Sequence, residues 1–315
     1  MVAKMSMIKF LNEIKEPTVS ELGGKGYFLS VLINNGFNVP KGFVIISDTF
    51  FEYLKQNNLM EKIEKLSSEI NEGSFRQKSK EIKDLILNGE MPEEIASEIK
   101  DNLNKLGIQY VAIRSSAVSE DSLKASFAGM HDTFLNIKAD LNIVLEIIKK
   151  CWASLFNERA VIYRIKKEIP HWEGMAIVIQ EMIPAQISGI TFTAHPTDEK
   201  SLLVEASYGI GDMIVSGKVE PDDYIVDRES SEIVERKIGR KGKMSIVENE
   251  VTKVIDIEKE IANKQVLSDD RVKEIAKNCL KIEKILNYPQ DIEWCIYNNK
   301  VWLLQSRQIT RRLIQ

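Results

Sequence analysis

The chain has 315 residues, enough to bury a substantial core in about two domain-sized lobes. Hydrophobic residues make up 43% and charged residues 29%, and a net charge of −4 argues against a partner that needs an overall basic protein, such as nucleic acid or an anionic membrane. No apolar run is long enough to span a bilayer, and the opening MVAKMSMIKFLNEIK lacks the apolar core and cleavage site of a secretory signal. Cys151, Cys279 and Cys295 are odd in number and lack CxxC spacing, which reads as reduced thiols in a cytoplasmic protein.

In chain order, the first legible element starts at Glu21-Leu22-Gly23-Gly24-Lys25-Gly26. Phe28, Leu29, Leu32 and Ile33 follow at helical spacing, and Gly36 marks a helix end. The pattern predicts a glycine-rich turn before a helix, with Lys25 placed where backbone donors and an ammonium could meet phosphate. The fixed glycine spacing and Ser/Thr of a Walker loop are missing, and plain chain reversal explains the same residues. A strand over 43–46 and a helix capped by Ser47 or Asp48 come next. Residues 60–106 read as charged amphipathic helices, with Ile95, Ile99, Leu103 and Leu106 as one buried stripe.

The segment 111–137, VAIRSSAVSEDSLKASFAGMHDTFLNI, is the most informative. An apolar run delivers Arg114, then two serines, an acidic pair, a small-residue loop around Gly129, and Thr133. A guanidinium at a strand end, followed by a hydroxyl- and glycine-bearing loop, suits a polyphosphate. A strand, a polar turn and a solvated arginine fit equally. Helices are predicted over 140–167, strands over 176–182, 189–194 and 202–206, and a hairpin over 222–235. The Lys- and Glu-rich stretch 236–268 is the least legible, and a helix over 269–287 leads to the last motif.

That motif is a β-hairpin: Asp291-Ile292-Glu293-Trp294-Cys295-Ile296-Tyr297, a loop at 298–300, then Val301-Trp302-Leu303-Leu304-Gln305-Ser306-Arg307. With a three-residue loop, Glu293 stands opposite Gln305 and Arg307 lies farther along the same face. A carboxylate, a carboxamide oxygen and a guanidinium there suit Mg²⁺ plus phosphate. An exposed face with one surface ion pair is the alternative, and a one-residue slip would scatter the cluster.

Together these motifs resemble the N-terminal ATP-binding domain of phosphoenolpyruvate synthase, pyruvate phosphate dikinase and rifampin phosphotransferase. The resemblance runs from about Gly23 to Thr310 through GGKG, AIRSSAVSED, SFAGMHDTFLNI, CWASLFNERAVIYR, IVIQEMI, SGITFTAHP, VEASYGIGDMIVSG, DIEW and LLQSRQIT. DTFLNI, CWASLFNERAVIYRI and QDIEWC resemble the rifampin phosphotransferase branch most. The resemblance implies an α+β class: a two-lobed ATP-grasp fold with mixed and antiparallel sheets and flanking helices, a first lobe over 1–190 and a second over 191–315. It implies ATP and Mg²⁺ as cofactors. Lys25, Arg114 and Arg307 match cations on the phosphates, Gly129 and Thr133 the lid over them, and Gln180, Glu181 and Met182 the segment beside adenine. Glu205 and Glu293 match carboxylates near the metal, with Gln305 completing its coordination; Glu293 and Gln305 are the expected ligands.

The activity implied is transfer of the β-phosphoryl of Mg–ATP to a histidine on a swivelling domain, giving AMP and phosphate, with pyruvate or a rifamycin as final acceptor. The sequence stops at Gln315, and none of His131, His171 and His195 has flanks like that histidine's. The histidine domain is therefore expected on a separate subunit or in a longer enzyme. Gln308 stands where the family usually has proline. A nucleotide-binding regulatory module without turnover is the alternative, and ATP-dependent carboxylate–amine ligation a weaker third, since no acyl-phosphate pocket motif is visible.

Overall fold

A computed structural model describes residues 6–119, 121–122, 125–126, 130–195, 197–248 and 250–309. The chain forms two compact units: Met1–Asn34 with Lys41–Met182, and Asn35–Pro40 with Ile183–Gln315. The division thus falls at 182/183 rather than near 190. Residues 35–40 go with the second unit, where the Asn38 carbonyl accepts a hydrogen bond from the Leu303 amide at 2.8 Å.

Unit 1 runs β1 (Ile8–Phe10), α1 (Val19–Asn34), β2 (Gly42–Ile45), α2 (Ser47–Gln56), α3 (Met60–Ser68), α4 (Phe75–Asn88), α5 (Glu93–Leu106) and β3 (Tyr110–Ala117). It continues with two short strands, β4 (Asp121–Ser122) and β5 (Ala125–Ser126), then β6 (Thr133–Lys138), α6 (Leu141–Ala153), α7 (Glu158–Lys167) and β7 (Met175–Glu181). Five strands form an antiparallel sheet in the order β1-β2-β7-β3-β6. Ile113, Ile177 and Ile179 point to one face, where they join Phe50, Tyr53, Ile82, Ile99 and Trp152 from the helices in one large core. The stripe Ile95, Ile99, Leu103 and Leu106 is buried as its spacing requires.

α1 packs on β3 and β7 from the opposite side of the sheet. The expected turn before this helix is instead a kink inside it: Gly23 has φ 65° and ψ 177°, and helix flanks it on both sides. Neither expected cap forms at α2. Ser47 is its first helical residue, and its hydroxyl donates to the Ser20 carbonyl at 2.6 Å.

Unit 2 contains β8 (Ile187–Phe192), β9 (Ser201–Tyr208), α8 (Asp212–Val215), β10 (Asp222–Asp227), β11 (Ile233–Lys237), β12 (Lys243–Glu248) and β13 (Val251–Asp256). After these come α9 (Lys259–Ala262), α10 (Asp269–Leu286), β14 (Gln290–Tyr297) and β15 (Lys300–Gln308). The six-stranded sheet has the order β11-β10-β9-β8-β14-β15, and β12-β13 is a separate hairpin. Every pairing among the described residues is antiparallel, so no parallel component of a mixed sheet is seen there.

One face of this sheet is dry, with Leu202, Val204, Tyr224, Val226, Ile292 and Trp294 buried; α10 packs on the sheet through Val272, Ile275, Cys279 and Ile282. The stretch 236–268, obscure in sequence, is tied down by one buried carboxylate. Asp222 accepts from the amides of Gly239 (3.0 Å) and Val266 (2.7 Å), the Tyr224 hydroxyl (3.3 Å) and the Lys241 ammonium. Both members of the Asp222–Lys241 pair are fully buried. The three cysteines are free and buried.

Candidate nucleotide and metal site

In unit 1 the register decides which side chains meet. Ala112, Arg114 and Ser116 of β3 stand opposite Gln180, Val178 and Ala176 of β7, and Gly42 and Val44 of β2 stand opposite Gln180 and Val178. Directly opposed residues share a face, so Arg114, Gln180 and Ser116 all project toward α1. Lys25 follows the Gly23 kink in the same helix. Lys25 is 7% and Arg114 8% exposed, an unusual degree of burial for two cations in one unit. Thr133 stands directly opposite Arg114 and is exposed. A bulge in the β3–β6 pairing, beside Asn136 at φ 56°, brings Thr133 rather than Phe134 to that position. Gly129 lies outside the described residues.

Residues 180–182 close unit 1. Gln180 is 2% exposed, and its carboxamide nitrogen has no hydrogen-bond acceptor. The amides of Glu181 and Met182 donate to the carbonyls of Lys41 (2.7 Å) and Tyr110 (3.0 Å). These two N–H groups are engaged by the sheet, which leaves side chains and carbonyls as the groups this segment can offer a base. Ile177 and Ile179 belong to the core, while Val178 lies on the α1 face.

In unit 2 the expected pairing of Glu293 with Gln305 is present, by a different route. The turn has two residues, Asn298 and Asn299, at φ 49° and 59°, and Tyr297 pairs with Lys300. That alone would shift the register by one. A bulge between Glu293 and Trp294 restores it, and Gln305 Nε2 donates to Glu293 Oε1 at 3.2 Å. Arg307 stands opposite Asp291, and its Nε donates to Asp291 Oδ2 at 2.7 Å.

The same face continues across the sheet. Glu293 stands opposite Ile190, Ile190 opposite Glu205, and Glu205 opposite Asp223. Asp223 and Asp291 were not expected from the motifs, although PDDYIVD and QDIEWC place each at the period-two spacing of this face. Burial foremost, then the nearby Asp223 and Asp291, pushes the Glu205 carboxyl up to about 7. Asp291 is also raised by burial, with Glu293 adding to the shift and Arg307 opposing it. Asp223 is raised by burial despite Lys237.

Crowded, partly dehydrated carboxylates are relieved by a divalent cation. The donors here are hard oxygens, which fits Mg²⁺. Among the described residues no three His, Cys, Asp or Glu side chains converge as a ready metal cluster. Glu293 and Gln305 would therefore leave the remaining positions to water and phosphate, as this ion prefers. The ion would supply neutralisation of phosphate charge there.

Each unit thus gathers its own part of the expected residues: cations, Gln180 and Thr133 on the α1 face of unit 1, and carboxylates, Gln305 and Arg307 on one sheet face of unit 2. Of the histidines, His131 Nδ1 lies 3.4 Å from the Ser154 carbonyl and His195 Nδ1 accepts from the Thr197 amide at 3.3 Å. Burial, with Arg164 nearby, lowers His171 to about 4.

Comparison with known proteins gives the chain a family. The chain belongs to the family described as pyruvate phosphate dikinase, AMP/ATP-binding domain, which matches residues 19–313. It is 40% identical over 97% of its length to a probable phosphoenolpyruvate synthase of Methanocaldococcus jannaschii, covering 27% of that protein. A probable phosphoenolpyruvate synthase of Methanothermobacter thermautotrophicus is also 40% identical, with 96% of this chain and 46% of the relative covered. The rifampicin phosphotransferase of Bacillus subtilis is 34% identical over 97% of this chain and 36% of its own. The chain therefore spans less than half the length of these relatives. Among solved structures, an ATP complex of D-alanine–D-alanine ligase from Bacillus anthracis matches 69% of this chain and 55% of its own, at 10% identity and a TM-score of 0.25. That likeness is too remote to bear on the site.

Proposed function

We propose that this chain binds Mg–ATP and serves as the nucleotide half of a phosphotransferase. The observation that carries the reading is the placing of two nearly buried cations, Lys25 and Arg114, in the α1–β3 region of unit 1. An ammonium and a guanidinium brought to one helix–strand junction suit a polyphosphate, whose oxygens accept from both. Lys25 and Arg114 take the phosphates, and Gln180 to Met182 border the adenine. Glu293 and Gln305 hold Mg²⁺, with Glu205 near it, and Arg307, oriented by Asp291, meets the transferred phosphates. Gly129 and Thr133 belong to the lid over them. The side chains do no covalent chemistry in this scheme; they align the phosphates and offset developing charge.

The β-phosphoryl group passes to a histidine of a separate domain or subunit while a water molecule takes the γ-phosphoryl group, so that AMP and phosphate are released. The histidine then passes its phosphoryl group to an acceptor such as pyruvate or a rifamycin. The relatives' names support both acceptors, and the higher identity to the synthases does not favour the rifamycin branch. The test is calorimetric titration with ATP, with and without Mg²⁺. Saturable, metal-dependent binding is expected in the wild type. Glu293→Gln should weaken it about tenfold, or about 1.4 kcal/mol, with the fold intact. Arg114→Ala should weaken binding by at least about as much. Unchanged affinity in both variants would refute the assigned site. With a histidine-domain protein added, AMP and phosphate are the expected products; ADP would point to ligation chemistry, and no turnover to a regulatory module.

A further inference from the structure

The serines after Arg114 invite a reading as phosphate ligands, yet both hydroxyls are already engaged inside unit 1. Ser115 donates to the Asp132 carbonyl at 2.8 Å, and its amide donates to the same oxygen at 3.3 Å. Ser116, fully buried, projects to the other face and meets α1. Its Oγ donates to the Leu22 carbonyl at 2.8 Å and accepts from the Gly26 amide at 3.1 Å. Leu22 and Gly26 are the pair, four residues apart, that a regular helix would join directly. A side chain inserted into that ladder is a known cause of a helix kink, and the kink is at Gly23. A Cβ on Gly23 would lie 1.9 Å from the Ser116 carbonyl oxygen and 2.4 Å from its Oγ, and Gly23 has φ +65°. Only glycine permits both the backbone conformation and the close approach.

We propose that Ser116 is a positioning residue: it bridges the Leu22–Gly26 step across the Gly23 kink and so fixes Lys25 relative to the strand that carries Arg114. The inference rests on the nucleotide reading above and adds to it the device that holds the first cation in place. Lys25 stands one residue before Gly26, whose amide Ser116 holds. Two residues along β3, on the same face, Arg114 is set by the sheet itself. Loss of the bridge should therefore affect the phosphates and spare the base.

The experiment compares adenosine, AMP and ATP binding by wild type, Ser116→Ala and Ser30→Ala. Ser30 is the control: its hydroxyl donates to the Gly26 carbonyl at 2.8 Å, so its loss removes a buried hydrogen bond from the same helix without touching the bridge. Ser116→Ala is expected to weaken Mg–ATP binding about tenfold and adenosine binding less than about twofold. Ser30→Ala should show no such dependence on phosphate number. Unchanged ATP affinity in Ser116→Ala, equal losses for adenosine and ATP, or the same pattern in Ser30→Ala would each overturn the proposal. If the wild type binds no nucleotide, the nucleotide reading is what fails. The positioning claim is then decided by labelling of Lys25 with limiting acetic anhydride and by amide exchange at Gly26. Both should rise in Ser116→Ala and not in Ser30→Ala; no change in either would refute it.

Discussion

Glu205 shows how one side chain reports on its surroundings. Its carboxyl ordinarily titrates near 4.5, and burial with two neighbouring carboxylates lifts it to about 7. A raised folded-state value means that the folded chain holds a proton the unfolded chain has released. The stabilisation is complete below the unfolded value and is lost as pH rises through the folded one. In metal-free protein, Tm is therefore expected to fall between about pH 5 and about pH 8, and Glu205→Gln should reduce that fall. Thermal melts in chelator across this range check it; identical slopes in the two proteins would contradict the carboxylate crowding. Asp291 adds a second lesson. Its ion pair with Arg307 does not hold its pKa down, because dehydration outweighs the guanidinium. The pair is better understood as orienting Arg307 than as stabilising the fold.

At the level of elements, bulges decide which side chains of the candidate site share a face. Without the bulge in β3–β6, Phe134 would stand opposite Arg114; without that in β14–β15, Glu293 would face a different residue of β15. A strand's side chains alternate, so one inserted residue exchanges the two faces. The motif reading placed Glu293 opposite Gln305 through a three-residue loop, and the molecule reaches the same pairing with a two-residue turn and a bulge. Gly189 has a similar part on the neighbouring strand. A Cβ there would lie 2.1 Å from Trp294 Cζ2 and 2.2 Å from the Glu205 carbonyl oxygen. Gly189→Ala should displace the Trp294 ring, whose Nε1 donates to Thr191 Oγ1 at 2.9 Å, and destabilise the protein by about 1–3 kcal/mol. Urea unfolding together with Trp fluorescence measures this; a wild-type midpoint would show that the strand yields freely.

Across the molecule, long-range polar ties do what local pattern does not announce. The Asp222–Lys241 pair joins residues far apart in sequence inside a dry part of unit 2, with Val266 held by the same carboxylate. Replacing Lys241 by Met leaves a buried, uncompensated carboxylate. The expected destabilisation is about 3–5 kcal/mol, and the Asp222→Asn/Lys241→Met double variant should recover part of it. Chemical denaturation of the single and double variants tests the coupling; additive losses would mean that the pair is not the tie.

Periodicity suffices for most helices and strands, and the ordered motifs for the family and the α+β class that it implies, because each depends on residues near one another in the chain. The buried stripe of α5 and the hairpin of β14 and β15 were legible for that reason. The kink in α1, the two bulges, the inclusion of Asp223 and Asp291 in the acidic face and the bridge made by Ser116 were not. Each arises where segments distant in sequence come within hydrogen-bond or van der Waals distance, and a linear pattern carries no record of that distance. Gly23 illustrates the difference: as a letter it marks a flexible turn, whereas beside the Ser116 carbonyl it is the residue whose missing Cβ lets helix and strand meet.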